Sequence, residues 1–308
     1  MSPRHFLDIT DLTIDELTKV LSLSTAPIAD LGRPLRGLGA ALIFEKPSNR
    51  TRQSMEMAVV QLGGHPVYTR SEELGFDTRE SVEDITRIMA GYHAVLAARV
   101  FDHSVVTRMA AVSAVPIVNL LSDHSHPLQA LADVLTMNED FGDLSGRTIA
   151  YVGDFNNVAR SLAQACVMLG AHVRIGCPPG YDASEAELFE LNSTGPGTVS
   201  QWSDPLVAVF GAMAVHTDTW TSMGQELEHA DRMEVFGHYQ VNEGLMAGAA
   251  PGATFMHCLP AYRGLEVVAE VIDGPQSRVY RQGHNRMHAG RGLLAFLCAE
   301  GLQSGVQQ

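Results

Sequence analysis

The stretch Ala40-Ala-Leu-Ile-Phe44-Glu-Lys-Pro-Ser48-Asn49-Arg50-Thr51-Arg52 passes from an apolar run, through a turn rich in hydroxyls and arginines, into a segment with helical spacing. It reads as a short buried strand, a loop and a helix N-terminus. Such a junction makes an anion cradle. Free backbone N–H groups and the positive end of the helix dipole point at the ligand, and arginines add planar two-pronged donors. The loop lacks the Gly-x-x-x-x-Gly-Lys-Ser/Thr pattern, so ATP is not its natural guest. Ordinary helix capping by Ser48, with solvated arginines, is the plain alternative for this loop taken alone.

Outward from this junction the chain alternates. Thr13-Ile-Asp-Glu16 is a capping-box pattern that starts a first helix running toward Leu21. Helical stretches near 51–62, 81–91, 103–112 and 127–138 separate strand-like runs near 65–69, 93–98 and 115–121. A second set follows, with strands near 148–153, 171–177, 212–217 and 253–256 and helices near 156–169, 183–192 and 224–232. Alternation with fully apolar strands predicts an α/β protein of two domains, each a parallel sheet flanked by helices. The 308-residue length also suits two domains rather than one. The polar segment Asn138–Gly146 is the candidate hinge. The expected division is 1–138 and 139–284, with 285–308 a C-terminal helix returning to the first domain. In open parallel sheets ligands bind beyond the carboxyl ends of the strands, so the informative residues should follow strands.

Composition narrows the function. Hydrophobic residues make up 45% of the chain and charged residues 18%, which excludes a disordered, collagen-like or coiled-coil protein. The formal net charge of −14 disfavours a nucleic-acid or anionic-membrane binder, because the mean field repels both. Of the 21 basic residues only Lys19 and Lys46 are lysines, so any anion site is built from guanidinium groups. Cys166, Cys177, Cys258 and Cys298 are far apart, which argues against a zinc ribbon or a disulfide framework. The histidines form no His-Glu-x-x-His pattern. No apolar run approaches a membrane span, and the N-terminus turns acidic before a signal region forms. The expectation is a cytoplasmic protein without a metal or cofactor.

Three further stretches follow strands: His126-Pro-Leu-Gln129, Asp218-Thr-Trp-Thr-Ser222-Met223-Gly224 and His257-Cys258-Leu259-Pro260. With the Ser48-Asn-Arg-Thr-Arg52 loop, in this order, they resemble the carbamoyltransferase family, and within it the ornithine branch. The likeness spans about residues 5–300. Cys258, and the loop carrying Asp218 and Ser222-Met223-Gly224, separate this chain from the aspartate-specific branch.

The resemblance implies transfer of the carbamoyl group of carbamoyl phosphate to the distal amine of L-ornithine, giving L-citrulline and phosphate for arginine synthesis. It implies that Ser48, Asn49, Arg50 and Thr51 hold the phosphate, and that Arg99 reaches phosphate and carbonyl oxygen. His126 would donate to the carbonyl oxygen, Gln129 would accept from the carbamoyl amide, and Cys258, Leu259 and Arg286 complete the carbamoyl phosphate set. Asn157, Asp218, Ser222 and Met223 would bind ornithine. Cys258, Arg99, His126 and Thr51 would act in catalysis. A homotrimer, or an assembly of trimers, is implied as well. Outside the resemblance, Arg99 reads as a solvated strand-end arginine, Asn156 and Asn157 as helix caps, and Cys258 as a small buried hydrophobe.

The chain departs from the family pattern in places. Asn49 stands where threonine is usual, Leu128 where cysteine is, and His284 where glutamate is. Glu73 replaces a glutamine that reaches a neighbouring subunit's carbamoyl phosphate. A carboxylate there would repel a phosphate, and Arg79 is the candidate substitute. Two other readings stand beside the first: the same chemistry on another diamino acid or amine, or a non-catalytic relative that binds carbamoyl phosphate.

Overall fold

The computed structural model describes residues 3–221 and 229–304. The chain divides into two compact units, Met1–Leu135 with His284–Gln308, and Thr136–Gly283.

The first unit is built on a four-stranded parallel sheet: β1 (Gly39–Phe44), β2 (His65–Arg70), β3 (Val95–Arg99) and β4 (Ile117–Leu121), in the order β2-β1-β3-β4. The apolar runs read as strands are those that lie buried. Ala40–Phe44 and Val95–Arg99 are buried along their whole length, as strands of a parallel sheet covered by helices are. Ile43, Leu96 and Ala98 pack with Val82, Val106 and Met109 of the helices Val82–Ala90 and His103–Val112. Each helix start has a local cause. Thr13 and Glu16 form the expected capping box on the helix Ile14–Thr25. Ser81 and Asp102 cap the two helices just named. Ahead of these, Phe6 bonds both ways to the β4 backbone at Ile117 and Asn119, extending that edge.

The second unit is a five-stranded parallel sheet in the order β7-β6-β5-β8-β9: β5 (Thr148–Val152), β6 (His172–Gly176), β7 (Thr198–Trp202), β8 (Ala214–Thr217) and β9 (Thr254–His257). One face carries a core of Val152, Val215 and Phe255 under Trp220, Phe236 and Tyr239. The two-sheet α/β architecture is the one the alternation predicts.

Some elements differ from expectation. β7 and the helix Pro205–Val209 carry no sequence prediction, because Thr198-Val-Ser-Gln-Trp202 is an edge strand with only Val199 buried. The helix expected near 127–138 continues to Phe141, so the first residues of the candidate hinge are its last turn. Of the helix expected near 224–232, residues 224–228 lie outside the described residues; the described helix there is His229–Phe236.

Both sheets reverse their strand order at one point. In the first unit the chain moves from β1 to β2 on one side, then to β3 and β4 on the other. In the second it moves from β5 through β6 to β7, then back to β8 and β9. Loops that leave adjacent strands at such a point open a crevice at the carboxyl edge, where a ligand can enter. β1, β3 and β4 therefore deliver the 45–52 loop, Arg99 and His126, while β5, β8 and β9 deliver Gly153–Asn157, Asp218 and Cys258.

Candidate active site

In the first unit, the helix Asn49–Gln61 starts directly after the β1 loop. Ser48 stands at its N-cap position but makes no side-chain capping bond; its hydroxyl donates to the Thr51 hydroxyl at 3.0 Å. The capping alternative is therefore not what this serine side chain does. Arg50 and Asn49 are exposed, and Asn49 Oδ1 accepts from Gln53. Thr51 is buried, and its hydroxyl also accepts from the Arg286 guanidinium.

Arg286 binds a second partner, donating to Gln129 Oε1 at 2.6 Å, while Gln129 Nε2 donates to buried Asp133 at 2.7 Å. Arg99 is 6% exposed at the end of β3, beside a register shift that separates it from the regular ladder with β4. The solvated reading of Arg99 is thus corrected: its guanidinium is taken inward. His126 is buried, and its carbonyl accepts the first amides of the helix Pro127–Phe141. Burial foremost, then the Arg286 and Arg99 charges, pushes the His126 pKa well below its ordinary value. The imidazole is therefore neutral at physiological pH and able to donate an N–H to a carbonyl oxygen. Leu128 is buried in the same turn. The unit thus gathers Thr51, Arg99, His126, Gln129 and Arg286, all buried and two of them cationic.

In the second unit, the ends of three adjacent strands converge. Asp218, one residue past β8, is half-buried. Its Oδ1 accepts from the Cys258 thiol at 3.1 Å, and its Oδ2 accepts from Asn156 Nδ2 at 3.0 Å. Asn156 also caps the helix Asn157–Met168 through Oδ1, which fixes its amide so that the NH₂ faces Asp218. Asn157 is half-buried at the first helical position. Gly153 opens this loop at φ +136°, a conformation that only glycine adopts readily. Cys258 is half-buried, whereas the other three cysteines are buried, and burial pushes Cys177 and Cys298 up to about 12. Cys258 is thus the least buried of the four thiols. Leu259 follows it at φ +58°, and the Leu259–Pro260 bond is cis. Ser222 and Met223 lie outside the described residues.

Asp218, His257 and Cys258 each bring one ligand atom within 4.8 Å of the others. His257 is nevertheless a poor metal ligand here, because its Nδ1 lone pair accepts the Leu259 N–H at 2.9 Å and its Nε2 faces Glu266 at 3.2 Å.

The sequence reading passed over several residues that the structure ties to these positions. Asn156, read as a cap, both caps and holds Asp218. Arg232, 2% exposed, donates to the Trp220 carbonyl and to Asp154, with Tyr181 and Phe236 rings against its guanidinium. It thereby anchors the segment after Asp218. Asp133, four residues from Gln129, carries the only available hint, a carboxylate one helical turn on. Glu73 and Arg79 are exposed, and the Arg79 guanidinium donates to the Glu73 carbonyl at 3.2 Å.

Comparison with known proteins identifies the family. The family model described as aspartate/ornithine carbamoyltransferase, carbamoyl-P binding domain, matches residues 4–139, and the Asp/Orn binding domain of the same family matches 145–297. An ornithine carbamoyltransferase of Parafrankia sp. is 44% identical over 97% of this chain and 98% of its own. The structure of ornithine carbamoyltransferase from Pyrococcus furiosus superposes with a TM-score of 0.90 at 40% identity, covering 96% of this chain and 97% of that one. The Thermus thermophilus enzyme gives 0.87 at 39% identity, covering 96% and 99%. With both domain models matched in order and a likeness that runs nearly end to end, the chain belongs to the aspartate/ornithine carbamoyltransferase family.

Proposed function

We propose that this protein is an ornithine carbamoyltransferase, moving the carbamoyl group of carbamoyl phosphate to the distal amine of L-ornithine to give L-citrulline and phosphate. The observation that carries the choice of acceptor is the Asp218 carboxylate, held by Asn156 on one oxygen and the Cys258 thiol on the other. A fixed, half-buried anion with a neighbouring thiol suits an amino acid's ammonium group. It would be wasted on an acceptor without one.

On the donor side, Ser48, Asn49, Arg50 and Thr51 bind the phosphate through first-turn amides and the Arg50 guanidinium. Arg99 and neutral His126 polarise the carbonyl oxygen, and Arg286 and Gln129 engage the carbamoyl group. Gln129 Oε1 already accepts from Arg286, and its second lone pair remains for the carbamoyl NH₂. On the acceptor side, Asp218 pairs with the α-ammonium, and Asn157 with Ser222 and Met223 takes the carboxylate.

The distal amine, with a free pKa of about 10.4, must shed a proton before it attacks. Cys258 and Asp218 orient it and help remove that proton. As the C–N bond forms, the developing oxyanion is stabilised by Thr51, Arg99 and His126, whose burial strengthens each interaction. The C–O bond to phosphate then breaks, and the second nitrogen proton leaves with the departing phosphate. Cys258 and Leu259 complete the carbamoyl phosphate set.

The same reading makes the protein a contributor to arginine synthesis, cytoplasmic, and a homotrimer or an assembly of trimers. No helix among the described residues is long and apolar enough to cross a membrane.

The test is citrulline formation from carbamoyl phosphate and ornithine across pH 6 to 9, with lysine and putrescine alongside. Ornithine-dependent turnover that rises with pH supports the reading. Preference for another amine moves the acceptor assignment, and absence of turnover with carbamoyl phosphate still bound favours a binding protein. Sedimentation analysis tests the trimer.

A further inference from the structure

We propose that Glu266, acting through His257, is a positioning residue for the Cys258–Leu259 segment; this rests on the carbamoyl-transfer reading above. His257 is the last residue of β9, an edge strand, and its side chain is inaccessible. Its backbone N–H is held by Gln282 Oε1 at 2.9 Å. Its ring spans two partners. Nδ1 accepts the Leu259 N–H at 2.9 Å, and a ring nitrogen that accepts carries no proton. The single ring proton of the neutral imidazole is therefore on Nε2, directed at Glu266 Oε1 at 3.2 Å. That carboxylate oxygen also accepts the Tyr262 N–H at 2.6 Å.

One buried carboxylate thus fixes the tautomer of His257, and the tautomer determines whether Nδ1 can receive Leu259. Leu259 needs that bond, because it stands at φ +58°, in the left-handed region that a leucine seldom occupies. With the opposite tautomer, Nδ1–H would face Leu259 N–H, donor against donor, and the turn would relax. Cys258 lies between the two bonded residues, so its thiol direction toward Asp218 follows from this turn. The Glu266 backbone is tied down: its carbonyl accepts from Val241, and the next residue, Val267, bridges to the same segment. Burying a carboxylate against a neutral imidazole serves little purpose in a loop that only connects two elements. It makes sense where a backbone conformation must be held against its own preference.

Two readouts on wild type, Glu266→Gln, Glu266→Asp and Glu266→Ala test this. The first is citrulline turnover. The second is the rate of iodoacetamide modification at Cys258, followed by peptide mass spectrometry, with buried Cys166, Cys177 and Cys298 reporting on the fold. Glu266→Ala is expected to lose about ten-fold or more in turnover and to change Cys258 alkylation about five-fold or more. The buried cysteines should stay protected, and inorganic phosphate affinity should stay within about two-fold. Glu266→Gln, which keeps an acceptor oxygen, is expected to hold both readouts within about three-fold of wild type. Glu266→Asp draws the oxygen back by one methylene and should fall between them; it decides the matter if the alanine variant does not fold. A folded Glu266→Ala, or Glu266→Asp in its place, with wild-type alkylation and turnover overturns the proposal. A wild type that makes no citrulline, yet shows the Cys258 alkylation effect, overturns the reaction reading and leaves the positioning role standing.

Discussion

The Cys258 thiol donates to Asp218 Oδ1 at 3.1 Å, joining the ends of two neighbouring strands through side chains forty positions apart. Asn156 takes the other oxygen, so the carboxylate is fixed in direction before any ligand arrives. Asp218→Asn keeps the shape and removes the charge. A hydrogen bond to a charged group contributes about 1.5–3 kcal/mol, so the apparent ornithine KM should rise about 10- to 100-fold. Inorganic phosphate affinity should not change, because the residues proposed to bind phosphate belong to the other unit. Steady-state kinetics with calorimetry on the same variant checks both.

Arg50 is exposed at the first turn of the helix Asn49–Gln61, where it packs against little and can reach a phosphate. Arg50→Ala should abolish carbamoyl phosphate binding in calorimetry. Unfolding free energy should stay within about 0.5 kcal/mol of wild type, as for most surface substitutions. Tight binding retained by the variant would remove Arg50 from the phosphate site.

The alternation of buried apolar runs with helical spacing made the two sheets legible, because a parallel strand covered on both faces needs a continuous hydrophobic segment. β7 escaped for the converse reason: an edge strand with one buried residue carries no such run. Of the site, the residues within strand-end motifs could be read, but their partners could not. Gln129 to Arg286 and Asp218 to Cys258 are long-range pairs that only the fold creates. Asn156 was visible as a helix cap, and one residue type satisfies both roles, so its sequence gave no sign of the second. Glu266 lies nine positions beyond His257 in an ordinary-looking segment, and its burial beside an imidazole is invisible until the loop closes.

His216, on β8, is 3% exposed, and its Nε2 has no hydrogen-bond partner. Burial foremost pushes its pKa down to about 3. In the unfolded chain the same imidazole takes a proton near pH 6.5. Below that pH the unfolded state binds a proton that the folded state refuses, so stability falls as pH drops from about 6.5 toward 3; above 6.5 the contribution is flat. The slope for one such group is about 1.4 kcal/mol per pH unit. His216→Leu should therefore lose less stability between pH 7 and pH 5 than wild type does, by about 2 kcal/mol. Denaturant unfolding at the two pH values measures this. Equal acid sensitivity in both proteins would show that His216 is not a source of it.

Gly292 lies inside the helix Val279–Ser304, where alanine would ordinarily be favoured by about 1 kcal/mol. Here a Cβ would overlap Ser24 Oγ and come 2.7 Å from the Ser24 amide nitrogen and 2.8 Å from the Val20 carbonyl oxygen. Of these three, two are backbone atoms of the helix Ile14–Thr25, so a rotamer change cannot relieve the overlap and the two helices must part. Gly292→Ala should cost about 1–3 kcal/mol, the usual penalty of overpacking. Turnover should suffer too, because Arg286 sits on the same helix and its bonds to Thr51 and Gln129 depend on where that helix lies. Gly283→Ala is the control: nothing lies within 4 Å of its Cβ, and it should be neutral or stabilising by up to about 1 kcal/mol. If both variants behave alike in denaturant unfolding, the close approach at Gly292 is not what holds this helix in place.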